Sequence, residues 1–98
     1  FQLPIMVLNN GKKDIHKKIS SFIDYEGLKK TGWEYSFVHS MDTIAELNNT
    51  AIVQLNFSRL NKSDEKYLRA NAFFTLIKED RKWLISSIII DKDVPMGI

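Results

Sequence analysis

The chain has 98 residues, of which 44% are hydrophobic, 11% aromatic and 27% charged; these are the proportions of one small globular domain, residues 1–98, able to bury somewhat over half of its unfolded surface. The formal charge of +2, with eleven Lys among the 14 basic residues, is too small to imply a polyanionic partner and is poor in the Arg that phosphate recognition favours. The absence of Cys excludes disulfides, thiolate nucleophiles and Cys-based zinc sites, and no apolar run approaches the roughly 20 residues of a membrane span. We therefore expect a cytoplasmic protein with no cofactor, no metal, no nucleic-acid partner and no membrane partner. The sequons at Asn48, Asn56 and Asn61 follow from an Asn-rich chain.

Leu3 to Leu8 is apolar and β-branched enough for a strand, which Pro4 confines to an edge or to the strand's start. Asn10-Gly11 is a strong hairpin turn signal. Asp14 can then cap a helix, because Ile15, Ile19, Phe22 and Ile23 fall on one helical face. Lys12, Lys13, Lys17, Lys18, Lys29 and Lys30 lie mostly off that stripe and read as a solvated helix back. A nucleic-acid patch would need aromatics and Arg interleaved with them. Gly32 closes the helical region.

From Trp33 the period changes to two. Trp33, Tyr35, Phe37, His39 and Met41 share one face of a strand, with Glu34, Ser36, Val38, Ser40 and Asp42 opposite. After a turn at Asn48-Asn49, Ala51, Val53, Leu55, Phe57 and Arg59 form one face of a second strand. Residues 60–66 make a polar loop. A third strand sets Leu68, Ala70, Ala72, Phe74 and Leu76 against Arg69, Asn71, Phe73, Thr75 and Ile77. Glu79-Asp80-Arg81 turns the chain into a last strand, Trp83, Ile85, Ser87 and Ile89 against Leu84, Ser86, Ile88 and Ile90. Residues 91–98 read as a tail.

One helix followed by long hairpin-connected strands gives α+β, a curved antiparallel sheet wrapped around a helix. The last strand is apolar on both faces. We expect its outer side to be covered by a homodimer through the convex face, using Phe73, Thr75, Leu84, Ser86 and Ile88.

The strand beginning "GW", the strand "TAIVQLNFSR", the hairpin into "RANAFFTLIK", and "RKWLISSI" together resemble the nuclear transport factor 2-like superfamily, in its SnoaL-like branches. The likeness is one of pattern and runs from about Leu3 to Ile90. Phe74 stands where Tyr is frequent in that family, and Trp83-Leu84-Ile85 matches its "W-x-I". The resemblance implies a cystatin-like cone with a conical pocket. It also implies two further helices ahead of this segment; the start at Phe1, already strand-like, fits an upstream extension. Members include isomerases, dehydratases, polyketide cyclases, transport adaptors and binding modules, so fold does not choose function.

Strand parity groups Tyr35, Phe37, His39, Phe57, Arg59, Phe74, Trp83 and Ser87 as the expected pocket lining, against Ile19, Phe22 and Ile23 of the helix. His39 is a weak candidate for a catalytic acid or base, against the ordinary reading of a strand-end His near solvent. Arg59 ends an apolar stripe and could meet a ligand carboxylate, against an ion pair or a rim residue. Ser87 offers a hydroxyl, although strand Ser usually just packs. Asp24, Glu26, Asp42 and Asp64 give no Asp/Tyr pair of the ketosteroid-isomerase kind. His16 and His39 have no metal-ligand spacing, and no phosphate-binding Gly loop is present. The leading expectation is a module binding a small apolar or weakly acidic molecule. The alternatives are an isomerase, cyclase or dehydratase using His39 with Arg59 or Tyr35, and a protein-interaction or dimerisation adaptor.

Overall fold

The computed structural model describes residues 1–92 and residue 96; most of the expected tail lies outside the described residues. Six strands form one sheet: β1 (Ile5–Asn9), β2 (Lys12–His16), β3 (Tyr35–Glu46), β4 (Thr50–Leu60), β5 (Lys66–Glu79) and β6 (Lys82–Ile90). Their order is β2-β1-β6-β5-β4-β3. The three long hairpins are antiparallel, but β1 pairs in parallel with β6, so the sheet is mixed. Pro4 precedes β1, both edges of which are paired; Pro4 therefore marks a strand start, not an edge.

The helix expected over Ile15–Ile23 is not formed. Asn10 and Gly11 both take positive φ (50° and 83°), the geometry of a two-residue hairpin turn matched to strand twist. That turn sends Lys12–His16 back along β1, with Ile15 opposite Met6 and His16 opposite Ile5. Only a single 3-10 turn at Ile19–Ser21 comes after it. Of the supposed helical stripe, Phe22 alone is fully buried. The one α-helix among the described residues, α1 (Tyr25–Lys30), starts eleven residues after the expected cap. Asp24, not Asp14, caps it, its Oδ1 accepting from the Gly27 N–H at 2.9 Å. Gly32, at φ 94°, ends the helical region as expected, and its N–H donates to the Lys29 carbonyl at 3.0 Å.

Two apolar clusters lie on one face of the sheet, here called inner. Ile5, Val7, Phe22 and Ile88 form the first, with Phe1, Ile23, Phe74, Ile85 and Met96 against it. Phe1 and Phe22 meet edge to face at 5.3 Å. Phe57, Ala70, Ala72 and Ile90 form the second, flanked by Leu55 and Phe74. Each large side chain so buried stabilises the fold by roughly 1.5–3 kcal/mol.

Alternation holds through most of β4 and β5, with one slip where Arg59 pairs with Leu68 but Leu60 with Lys66, and fails in the strands beside them. In β6 the register slips: Thr75 pairs with Ser87, and Leu76 with Ile85. The extra residue, Ser86, reverses the parity of the residues after it. Ile88 and Ile90 therefore turn inward, opposite Phe74 and Ala72. Ser87 turns outward. This corrects two expectations: Ile88 belongs to the core and not to the convex face, and Ser87 does not line the concave side. β3 bulges twice, between Val38 and Ser40 and between Thr43 and Ala45.

Candidate functional site

Directly paired residues of neighbouring strands share a sheet face, so the register divides the eight expected lining residues into two groups. Phe57, Arg59, Phe74 and Trp83 face inward with the core. Phe37 pairs with Ser58, which alternates with Phe57 and Arg59, so Phe37 faces outward. Tyr35 and His39 accompany it, and Ser87 is outward too. The expected convergence of Tyr35, Phe37 and His39 with Arg59 does not occur. The reason is registry: β3 meets β4 one residue away from the pairing that simple parity suggested.

On the inner face, Arg59 is only 4% exposed. It is carried there by β4 at the end of the Val53-Leu55-Phe57 row. Its guanidinium stands 5.7 Å from the Phe57 ring centroid. Among the described residues it has neither a carboxylate nor a hydrogen-bond acceptor as partner. Burial pushes its pKa below the usual Arg value, while the nearby Tyr67 pulls it back. A guanidinium stays charged regardless. The result is a partly desolvated cation at the rim of an apolar surface. Tyr67 hydrogen-bonds Thr31 Oγ1 at 2.9 Å, tying the end of α1 to β5 on this side.

A second inner-face group escaped sequence reading. Asn9, opposite Ile90 in the parallel β1–β6 ladder, buries its Oδ1 with no hydrogen-bond partner among the described residues. Buried acceptors are nearly always paired. The available signal was an amide on the same strand face as Val7 and Ile5.

On the outer face, His39 Nε2 lies 2.7 Å from Ser58 Oγ, and Ser58 is fully buried. The Phe37 ring lies 5.1 Å from the imidazole. Desolvation lowers the His39 pKa from its ordinary value, and the positive charges of Arg69 and Lys66 lower it further. The Tyr35 hydroxyl donates to Asp64 Oδ1 at 2.7 Å, which raises the phenol's pKa. Ser58 was overlooked because parity placed it with Asn56 and Gln54, away from the aromatics.

Two open surface depressions lie away from all eight expected residues, one at the β3–β4 turn (Glu46 to Asn49) and one between the end of α1 and the β4–β5 loop. Among the described residues, no three His, Asp or Glu side chains gather in a way that could hold a metal ion. No described helix is long and apolar enough to cross a membrane.

No protein-family model and no curated protein sequence matches the chain. Among solved structures, it is similar to an NTF-2-like protein of unknown function from Shewanella oneidensis. The TM-score is 0.58 at 17% identity, over 91% of this chain and 73% of that one. That likeness concerns the fold: six strands in one sheet, with the short helix and the 3-10 turn, are arranged as in an NTF2-like domain.

Proposed function

We propose that this NTF2-like domain is a binding module for a small, largely apolar molecule carrying a carboxylate, with Arg59 as its anion partner. One observation carries the reading: an Arg side chain only 4% exposed, beside an apolar surface, with no described protein acid to neutralise it. Charged hydrogen bonds from Arg to carboxylate are short, bidentate and strong in such surroundings, and an unpaired buried charge is costly without one. The isomerase, cyclase or dehydratase alternative finds less support, because His39 and Arg59 stand on opposite faces and cannot act on one substrate atom.

The test is a thermal-shift panel of aryl and alkyl carboxylic acids against their primary amides. Acids should raise the midpoint in the wild-type protein, amides should not, and Arg59→Met should abolish the difference. At a ligand concentration near 100 times Kd the stabilisation is about 2.7 kcal/mol. Equal responses to acids and amides would overturn the assignment.

A second reading, homodimerisation through the outer face, is favoured by one feature of the β6 bulge. It moves Ile88 inward and leaves Ile89, still partly exposed, on the same outer face as Phe73, Thr75 and Leu84. Met6 and Leu8 of β1 extend that patch, since they pair with Ser87 and Ile89. Sedimentation at micromolar concentration, with Leu84→Glu and Ile89→Lys as controls, decides it.

A further inference from the structure

The other half of the outer face, over β3, β4 and the start of β5, is of different character. Three cross-strand rows build it. Tyr35, Leu60 and Lys66 form the first, and Phe37, Ser58 and Arg69 the second. The third runs from the His39–Ser40 bulge through Asn56 to Asn71. Each row beyond the first has a ring or bulge residue on β3, a small or amide side chain on β4 and a polar one, Arg69 or Asn71, on β5. Adjacent strands lie about 4.8 Å apart, so the backbones of β3 and β5 stand roughly 10 Å from each other, with Leu60, Ser58 and Asn56 of β4 between them.

Both β3 rings are open. Phe37 is 52% exposed and Tyr35 is 40% exposed. Lys66 Nζ stands 5.9 Å from the Phe37 centroid. Arg69 donates through Nε to Asn56 Oδ1 at 3.1 Å, and Asn56 in turn donates to Asn71 Oδ1 at 2.6 Å. Neither cation is in an ion pair with a described carboxylate. Asp64, the acid nearest the rings, accepts from the Tyr35 hydroxyl. Asp42 lies further along β3, opposite Gln54.

We infer that this trough binds single-stranded nucleic acid, with bases stacked on Phe37 and Tyr35 and phosphates against Lys66 and Arg69. Exposed rings on a sheet face, backed by unneutralised cations and amides, combine the two forces that hold single strands: stacking and charge. The Lys-rich segment at residues 12–18 lacks interleaved aromatics and Arg; the three outer rows supply them across strands, where no linear reading can see them. Because stacking and charge do not read the sugar, DNA and RNA strands should bind alike. Two cations imply a weak interaction whose salt dependence is shallow.

The experiment is fluorescence anisotropy of end-labelled oligo(dT) and oligo(U) of about 12 nucleotides, titrated with protein between roughly 50 and 200 mM salt. The logarithm of affinity should fall against log salt with a slope near −1.4, about −0.7 for each of two phosphate contacts. Phe37→Ala should weaken binding about tenfold, and Lys66→Ala with Arg69→Ala should remove most of the salt dependence. Circular dichroism should show each variant folded, as expected for exposed positions on an edge strand and its neighbours. Shifts of the His39 and Phe37 ring resonances on titration report occupancy of the trough independently of affinity. Lys12→Ala with Lys13→Ala on β2 should change nothing. Absence of binding, equal affinity for a duplex of the same length, unchanged affinity in Phe37→Ala, or loss of binding in the Lys12/Lys13 variant would each overturn the inference.

Discussion

Replacing Arg59 by Met should make the unliganded protein more stable. Arg59 is 4% exposed and has no acceptor among the described residues; its one favourable contact is the Phe57 ring. Holding a charged donor group with little water and no protein acceptor costs about 2–3 kcal/mol. The cation–π contact returns about 1 kcal/mol of that. Met keeps the apolar stem and can fill an irregular gap, so the net gain should be about 1–2 kcal/mol. For a domain of this size that raises the thermal midpoint by roughly 4–16 °C. Chemical denaturation with an unchanged m-value, alongside calorimetry, gives the measurement. A midpoint lowered by the equivalent of about 1 kcal/mol or more would refute the reasoning. The guanidinium would then be a satisfied structural group, and the case for an anionic ligand would lose its support. The gain should also shrink or reverse when a binding acid is present, since only the wild-type protein can pair with it.

Other substitutions test the register and the outer face. Ile88→Ala should cost about 2–4 kcal/mol while Ile89→Ala costs under about 1, because the β6 bulge turns Ile88 into the core; urea unfolding midpoints check the pair, and a reversed order would mean that parity runs unbroken through Ser86. The folded-state pKa of His39 is depressed below its ordinary 6.5, so the unfolded chain takes up a proton first. Its stabilising contribution is therefore present above about pH 6.5 and lost as pH falls below that value. His39→Gln should flatten the thermal midpoint against pH between neutrality and the acid side, and an unchanged profile would show that His39 is not the responsible group. Ser58→Ala removes the 2.7 Å hydrogen bond to His39 and should cost about 1 kcal/mol, with the His39 titration moving in the same variant. Arg81 sits at φ 66° in the β5–β6 turn, where a side chain is strained, so Arg81→Gly should stabilise by about 0.5–1 kcal/mol. A lower melting midpoint in that variant would count against the turn geometry.

Much of the fold was legible in the residues. The Asn10-Gly11 turn, the turn at Asn48-Asn49, the polar loop after Leu60, the Glu79-Asp80-Arg81 turn and four strands in order all came from local chemistry. So did the stop at Gly32, because only a residue without Cβ takes its conformation cheaply. The helix was misplaced because Ile15, Ile19, Phe22 and Ile23 fit a helical period, whereas the hairpin turn before them commits the chain to pair with β1 first. A period-3.6 stripe is weak evidence beside a turn that brings an unpaired strand edge within reach. Arg59 was recognisable as the polar end of an apolar row. Its partners on the candidate site were not, since β3 and β6 each carry bulges that simple alternation cannot register.

The sequence by itself determined the α+β class, the strand count of the long hairpins, the turn positions and the burial of the β4 and β5 faces. These depend on side chains within a few residues of one another, where φ/ψ preference and period-two alternation act directly. Only the tertiary structure decided the parallel β1–β6 pairing, the inward turn of Ile88, and the division of Tyr35, Phe37 and His39 from Arg59. Those outcomes depend on which strands meet and in which register. That is set by the summed packing of residues as distant as Val7 and Ile88, and one inserted residue such as Ser86 is enough to exchange the two faces of a strand.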